Sequence, residues 1–150
     1  MKFTTKKLHV FLFFKLPSAF WCGVRVDSIS EARCVTRVRL TWFNKNPFKS
    51  LYFAVQAMAA ELSTGVLVMS KIQHSNQKIS MLVTQCNAKY SKKAIGKITF
   101  TCSEGTLVDH KILKAIETKE GQTFWMKAIG VDEQGDQVSE FNFEWSVKLK

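Results

Sequence analysis

The sequence predicts an α+β domain in which an antiparallel sheet of about six strands wraps a long, apolar central helix. Three observations predict it. Between Lys49 and Lys71 the only charged side chain is Glu61, and Ala, Leu, Met, Val and Phe occur on all sides of the helical wheel. Such a helix is buried all round rather than along one stripe. The C-terminal segment alternates, with Phe141, Phe143, Trp145, Val147 and Leu149 on one face and Asn142, Glu144, Ser146, Lys148 and Lys150 on the other. That is the period of a strand with one buried face. The order of elements is helix, two strands, long helix, two strands, helix, two strands, and a sheet curved around the long helix buries it best.

The elements follow in chain order. An amphipathic helix packed on the domain is expected from about Lys6 to Phe14, ended by Pro17. Gly23 to Ser28 alternates as a strand, and Ile29 to Ala32 turns. The next strand sets Cys34, Val38, Leu40 and Trp42 on one face, with Val35, Arg37, Arg39 and Thr41 on the other. Asn44 to Pro47 breaks it. The apolar helix then begins near Ser50, a suitable N-cap, and Gln73 to Gln77 is a polar loop. Ile79 to about Ser91 is a strand. Lys92 to Gly96 turns into another, with Ile98, Phe100 and Cys102 inward. Thr106 to Thr118 is an amphipathic helix, with Thr106 and Asp109 placed as a capping box. Phe124 to Val131, the turn Asp132 to Asp136 and the last strand form a hairpin.

Composition bounds the function. The 150 residues suit one domain, residues 1–150, with one core, and 46% apolar against 23% charged is the balance of a folded protein. Leu8 to Phe14 is too short to span a membrane, and Lys15 and Pro17 interrupt it without a small-residue cleavage site. No membrane insertion is expected. Cys22, Cys34, Cys86 and Cys102 have no short metal-site spacing, and His9, His74 and His110 are scattered. The expectation is reduced core thiols in a cytoplasmic protein, with no metal and no cofactor. The net charge of +10 admits an anionic partner. No recognition-helix, RNP-type or zinc-finger pattern accompanies it, so nucleic acid is not the expected one.

A buried carboxylate is costly unless it is hydrogen-bonded or protonated. Glu61 therefore has a structural partner or is held for chemistry. The run Asn46-Pro-Phe-Lys-Ser-Leu-Tyr-Phe-Ala54, followed by Met58-Ala-Ala-Glu-Leu-Ser-Thr-Gly65, resembles a family of uncharacterised hot-dog domains placed near the acyl-CoA thioesterases. Leu16 to Phe20 and Gly23-Val24 fit its opening. In the phenylacetate-pathway type of hot-dog thioesterase an Asn and an acid stand fifteen positions apart, as Asn46 and Glu61 do. The His-Gly-Gly between them falls here on Tyr52, Phe53 and Ala54, so the resemblance implies the fold more strongly than the catalysis.

What the resemblance implies is hydrolysis of a fatty or aryl acyl-CoA. Glu61 would activate water or attack directly. Asn46 would position the water or substrate, and Tyr52 would donate in place of the His. The amides near Phe53 and Ala54 would hold the carbonyl oxygen at the helix N-terminus. Ser63 and Thr64 are further hydrogen-bonding candidates, and Ser80 would come from the neighbouring subunit of a homodimer, with pairing into a homotetramer left open. Lys89, Lys92, Lys93 and Lys97 surround one turn and are candidates for the coenzyme A phosphates. A hydratase would need a His in the loop before the helix, and none lies between His9 and His74. The alternative outside catalysis is an acyl-CoA or lipid-binding module, which Phe53 in place of glycine favours.

Overall fold

The computed structural model describes residues 3–150. Helix α1 (Thr5–Lys15) and the short α2 (Pro17–Trp21) lead into β1 (Arg25–Ile29) and β2 (Cys34–Arg39). The long α3 (Phe53–His74) follows, then β3 (Ile79–Tyr90), β4 (Lys97–Cys102), α4 (Gly105–Thr118), β5 (Gln122–Val131) and β6 (Gln137–Leu149). The six strands form one sheet in the order β1-β2-β4-β5-β6-β3, with every pairing antiparallel. α3 lies in its concavity, with Ala59, Ala60, Val66, Leu67 and Val68 sealed from solvent. By length and composition α3 would pass for a membrane span, yet here it forms the core of the fold. Trp145 and Phe141 on β6, Phe100 on β4 and Met126 on β5 close over it.

The two edges of the sheet differ. At β1, α1 lies alongside and its His9 Nε2 sits 3.0 Å from the Val26 carbonyl oxygen. At β3, eleven of the twelve residues pair with β6 on one side, and among the described residues no strand pairs on the other. A long bare edge is a ready template for another strand.

Several local expectations are corrected. α1 is not amphipathic. Leu8 and Leu12 turn into the core, but Val10, Phe13 and Phe14 cover the outward side. Pro17 does not simply stop that helix; it opens α2, where the missing N–H costs nothing. β2 ends at Arg39, and Trp42 is 80% exposed in the loop rather than inward. Ser50 does not cap α3, because the Asn46 turn holds it, and Tyr52 takes the cap position. α4 starts at Gly105 after Glu104, so Thr106 and Asp109 form no capping box. Asp109 instead accepts from Lys71 at 2.8 Å, and Glu31 does so at 2.7 Å. Burial works against the Lys71 charge, but the bonds to Asp109 and Glu31 outweigh it and hold its pKa above the ordinary value. Cys34 and Cys102 are buried core thiols pushed up to about 12 by burial. Cys86 is exposed.

Candidate active site

Glu61 sits two turns into α3, on a half-buried stripe with Ala54, Ala57 and Met58. Paired residues of an antiparallel sheet share a face. Val83 is opposite Trp145, Cys86 opposite Phe143, and Ala88 opposite Phe141. Since Trp145, Phe143 and Phe141 are buried beneath α3, Val83, Cys86 and Ala88 also face the helix side. Cys86 is nevertheless exposed. Solvent therefore reaches the helix side of β3 at Cys86, beside the bare edge of the sheet. Glu61 is the one acidic side chain of α3.

The carboxyl is held there without a partner. Among the described residues no side chain or amide donates to it, and burial alone raises its pKa from 4.5 to about 7. Its bed is built by Gly65 and Trp145. A Cβ on Gly65 would meet Glu61 Oε1 at 3.1 Å and the Trp145 ring at 3.2 Å. Only a bare Cα at that position lets both groups close over the helix. Trp145 is fixed in turn by its indole N–H, which donates to Thr64 Oγ1 at 2.9 Å, while Thr64 donates to the Glu61 carbonyl at 2.8 Å. The indole is 3% exposed and supplies the low-dielectric surroundings that disfavour the carboxylate.

The other expected residues fall in different places. Asn46 is consumed by its own turn: Oδ1 accepts from the amides of Phe48 (2.9 Å) and Ser50 (3.2 Å), and Nδ2 donates to Ser50 Oγ at 2.9 Å. Tyr52 and Phe53 are largely exposed and in edge contact, with ring centroids 4.9 Å apart, and Phe53 also approaches Tyr90 of β3 at 6.4 Å. The amides of Phe53 and Ala54 are free at the helix start, since the first bonds to the Tyr52 carbonyl come from Val55 and Gln56. Ser63 is sealed and donates to the Ala60 carbonyl at 2.7 Å. Ser80 is opposite Lys148, on the face of the sheet away from α3, and donates to its carbonyl at 3.1 Å. Lys92 is engaged by Asp132 and Asp136, each at 2.7 Å, and these bonds raise its pKa. Lys89 is opposite Glu140, on the outer face. Lys97 is half-buried on β4, where its amide donates to Glu133 at 3.2 Å. Lys93 is exposed at the rim of a groove of about 620 Å³ at the start of α3, lined by Asn46, Phe48, Tyr52, Phe53 and Tyr90. Glu61 is not part of that groove.

Sequence reading missed Gly65, Trp145 and Cys86. The first two were legible only as a small helix residue and a core aromatic. Cys86 faces the helix because a bulge between Val83 and Gln85 shifts the alternation, and no local signal marks that bulge.

A loosened Asn46 turn should cost stability. For Asn46→Ala we expect about 0.5–1.5 kcal/mol, the loss of one exposed and one part-buried hydrogen bond to the Phe48 and Ser50 amides, read from urea unfolding.

An antiparallel sheet wrapped around one long helix defines a hot-dog fold. The chain belongs to the family described as Domain of unknown function (DUF4442), whose model matches residues 4–147. It is similar in structure to a protein of unknown function from Pseudomonas aeruginosa described as a probable thioesterase (18% identity, 100% of this chain and 99% of that one, TM-score 0.87). It is also similar to a protein of unknown function from Chlorobaculum tepidum (19% identity, 97% and 94%, TM-score 0.83). A thioesterase from Haemophilus influenzae shares the fold at 13% identity (99% and 93%, TM-score 0.73). No curated protein matches the chain in sequence.

Proposed function

We propose that the protein hydrolyses acyl-CoA thioesters, with Glu61 as the general base. The observation that carries this reading is the Glu61 carboxyl itself, unpartnered, half-buried and held near pKa 7. That value matches a base working near neutral pH. Glu61 takes a proton from water as the water oxygen attacks the thioester carbon. The oxyanion forms against free amides at the start of α3, where the helix dipole favours negative charge. Collapse breaks the C–S bond, and the proton held by Glu61 passes to the departing sulfur.

About 10 Å of helix axis lies between the Ala54 amide and Glu61. We place the complete site in a homodimer paired through the β3 edges. A two-fold axis then sets one α3 antiparallel to the other and brings the amides of one chain toward Glu61 of the next. The assembly should run at twice the 17.1 kDa of one chain in light scattering; a monomer with full activity would contradict this arrangement. Asn46 serves by holding the loop that sets the start of α3. Ser80 has no role, since it faces the other way.

Of the four lysines, Lys93 is the one at the groove and free of carboxylate partners. Lys93→Glu is expected to raise KM for acyl-CoA about five- to tenfold with little change in kcat. Lys89→Glu should change neither, and steady-state kinetics would read both.

One observation favours a second reading. The rings of Tyr52, Phe53 and Tyr90 crowd the helix start, which suits binding of an acyl chain without turnover. Assay of a short-to-long acyl-CoA panel separates the two. Turnover that disappears in Glu61→Gln supports the hydrolase, and tight binding with no turnover supports the module.

A further inference from the structure

We propose that the outward face of α1 and α2 is a docking surface for an anionic lipid bilayer. Apolar residues cover both sides of α1. Leu8 and Leu12 serve the core, Phe13 packs on Phe20 at 5.1 Å yet stays 43% exposed, and Val10 and Phe14 face outward, Phe14 at 71% exposed. α2 adds Trp21, 65% exposed, in ring contact with Phe13 at 6.5 Å and Phe20 at 5.9 Å. The patch extends beyond the two helices. Asn44 donates to the Cys22 carbonyl at 2.9 Å, which ties the loop carrying the exposed Trp42 and Phe43 to the end of α2.

Charge selects the occupant. Residues 1–26 contain five cations (Lys2, Lys6, Lys7, Lys15 and Arg25) and no Asp or Glu. Lys6, Lys7 and Lys15 rim the exposed apolar surface of α1. Aromatic side chains beside lysines suit the headgroup boundary, where rings enter the acyl region and ammonium groups meet phosphates. A second copy of the same face is a poor match, because it would set lysines against lysines with no carboxylate between them. The surface borders β1, whereas the proposed dimer uses β3 at the opposite edge of the sheet. This inference does not rest on the hydrolase reading.

The test is co-sedimentation of the full chain with vesicles of phosphatidylcholine alone and with about 30% phosphatidylserine. Binding to the anionic vesicles should exceed that to the neutral ones by at least about tenfold and weaken in about 0.5 M salt. Phe14→Ser with Trp21→Ser, and separately Lys6→Glu with Lys7→Glu, should each remove at least about nine-tenths of it. All four residues are surface groups, and circular dichroism melts would confirm an intact fold. Hydrolysis of a water-soluble short-chain acyl-CoA should be unaltered in both variants. Equal sedimentation with both vesicle types, no sedimentation with either, or full binding by the lysine variant would overturn the proposal. So would an oligomer that the Phe14/Trp21 variant dissociates, since the covering partner would then be another copy of the chain.

Discussion

Glu61→Gln is expected to lower kcat for acyl-CoA by about 10²–10⁴-fold, the usual contribution of a positioned general base. KM should stay near its wild-type value, because the amide keeps the shape of the side chain and only the proton acceptor is lost. The wild-type kcat/KM should rise about tenfold per pH unit below pH 7 and level off above it, following the carboxyl at about 7. The variant's residual rate should lack that rise. Stability should change in the opposite sense to activity. The folded-state pKa lies above the ordinary 4.5, so between those values the folded protein binds more protons than the unfolded chain. Stability therefore falls as pH rises from 4.5 through 7 and is flat above. Glu61→Gln removes this cost and should be more stable than wild type at pH 8, by on the order of 2–3 kcal/mol. The two proteins should converge below pH 4.5, as denaturant titrations at several pH values would show.

Trp145→Ala is the second large effect. Removing an indole that is 3% exposed leaves a cavity in the core and should cost about 3–5 kcal/mol. The cavity lies beside Gly65 and the Glu61 carboxyl, so water entering it restores part of the lost hydration. The midpoint of the pH–rate profile should move from about 7 toward 4.5. Trp145→Phe separates the two contributions. It keeps an aromatic ring over Gly65 but leaves the Thr64 hydroxyl without its indole donor, at a cost of about 1 kcal/mol. Its profile should stay close to wild type. A Trp145→Ala profile with an unchanged midpoint would show that the indole does not set the proton affinity of Glu61.

The architecture was legible in the chain because two patterns are strong and global. A helix with one charge in two decades of residues has to be wrapped, and the β6 alternation can only be read one way. Glu61 was legible for the same reason, since an acid stands out where nothing else is charged. The contacts around it were not. Asn46 and Glu61 have the spacing of a catalytic pair, yet spacing along a chain does not say whether an Asn side chain is free, and the Asn46 amide closes its own turn. Ser80 rests only on the resemblance, which implies a polar residue from the neighbouring subunit's strand, and the face it takes depends on the register with Lys148. Lys92 looked like one cation of four until the β5–β6 turn brought Asp132 and Asp136 onto it. Gly65 and Trp145 are 80 residues apart in sequence, and only the folded sheet shows that they bed the same carboxyl.

The most direct measurement is a crystal structure with a non-hydrolysable acyl-CoA analogue. The account predicts the thioester-equivalent carbonyl between α3 and β3, with its oxygen against amides at the start of an α3 helix and its carbon beside a Glu61 carboxyl. An analogue seated elsewhere, with Glu61 remote from its carbonyl, would contradict it.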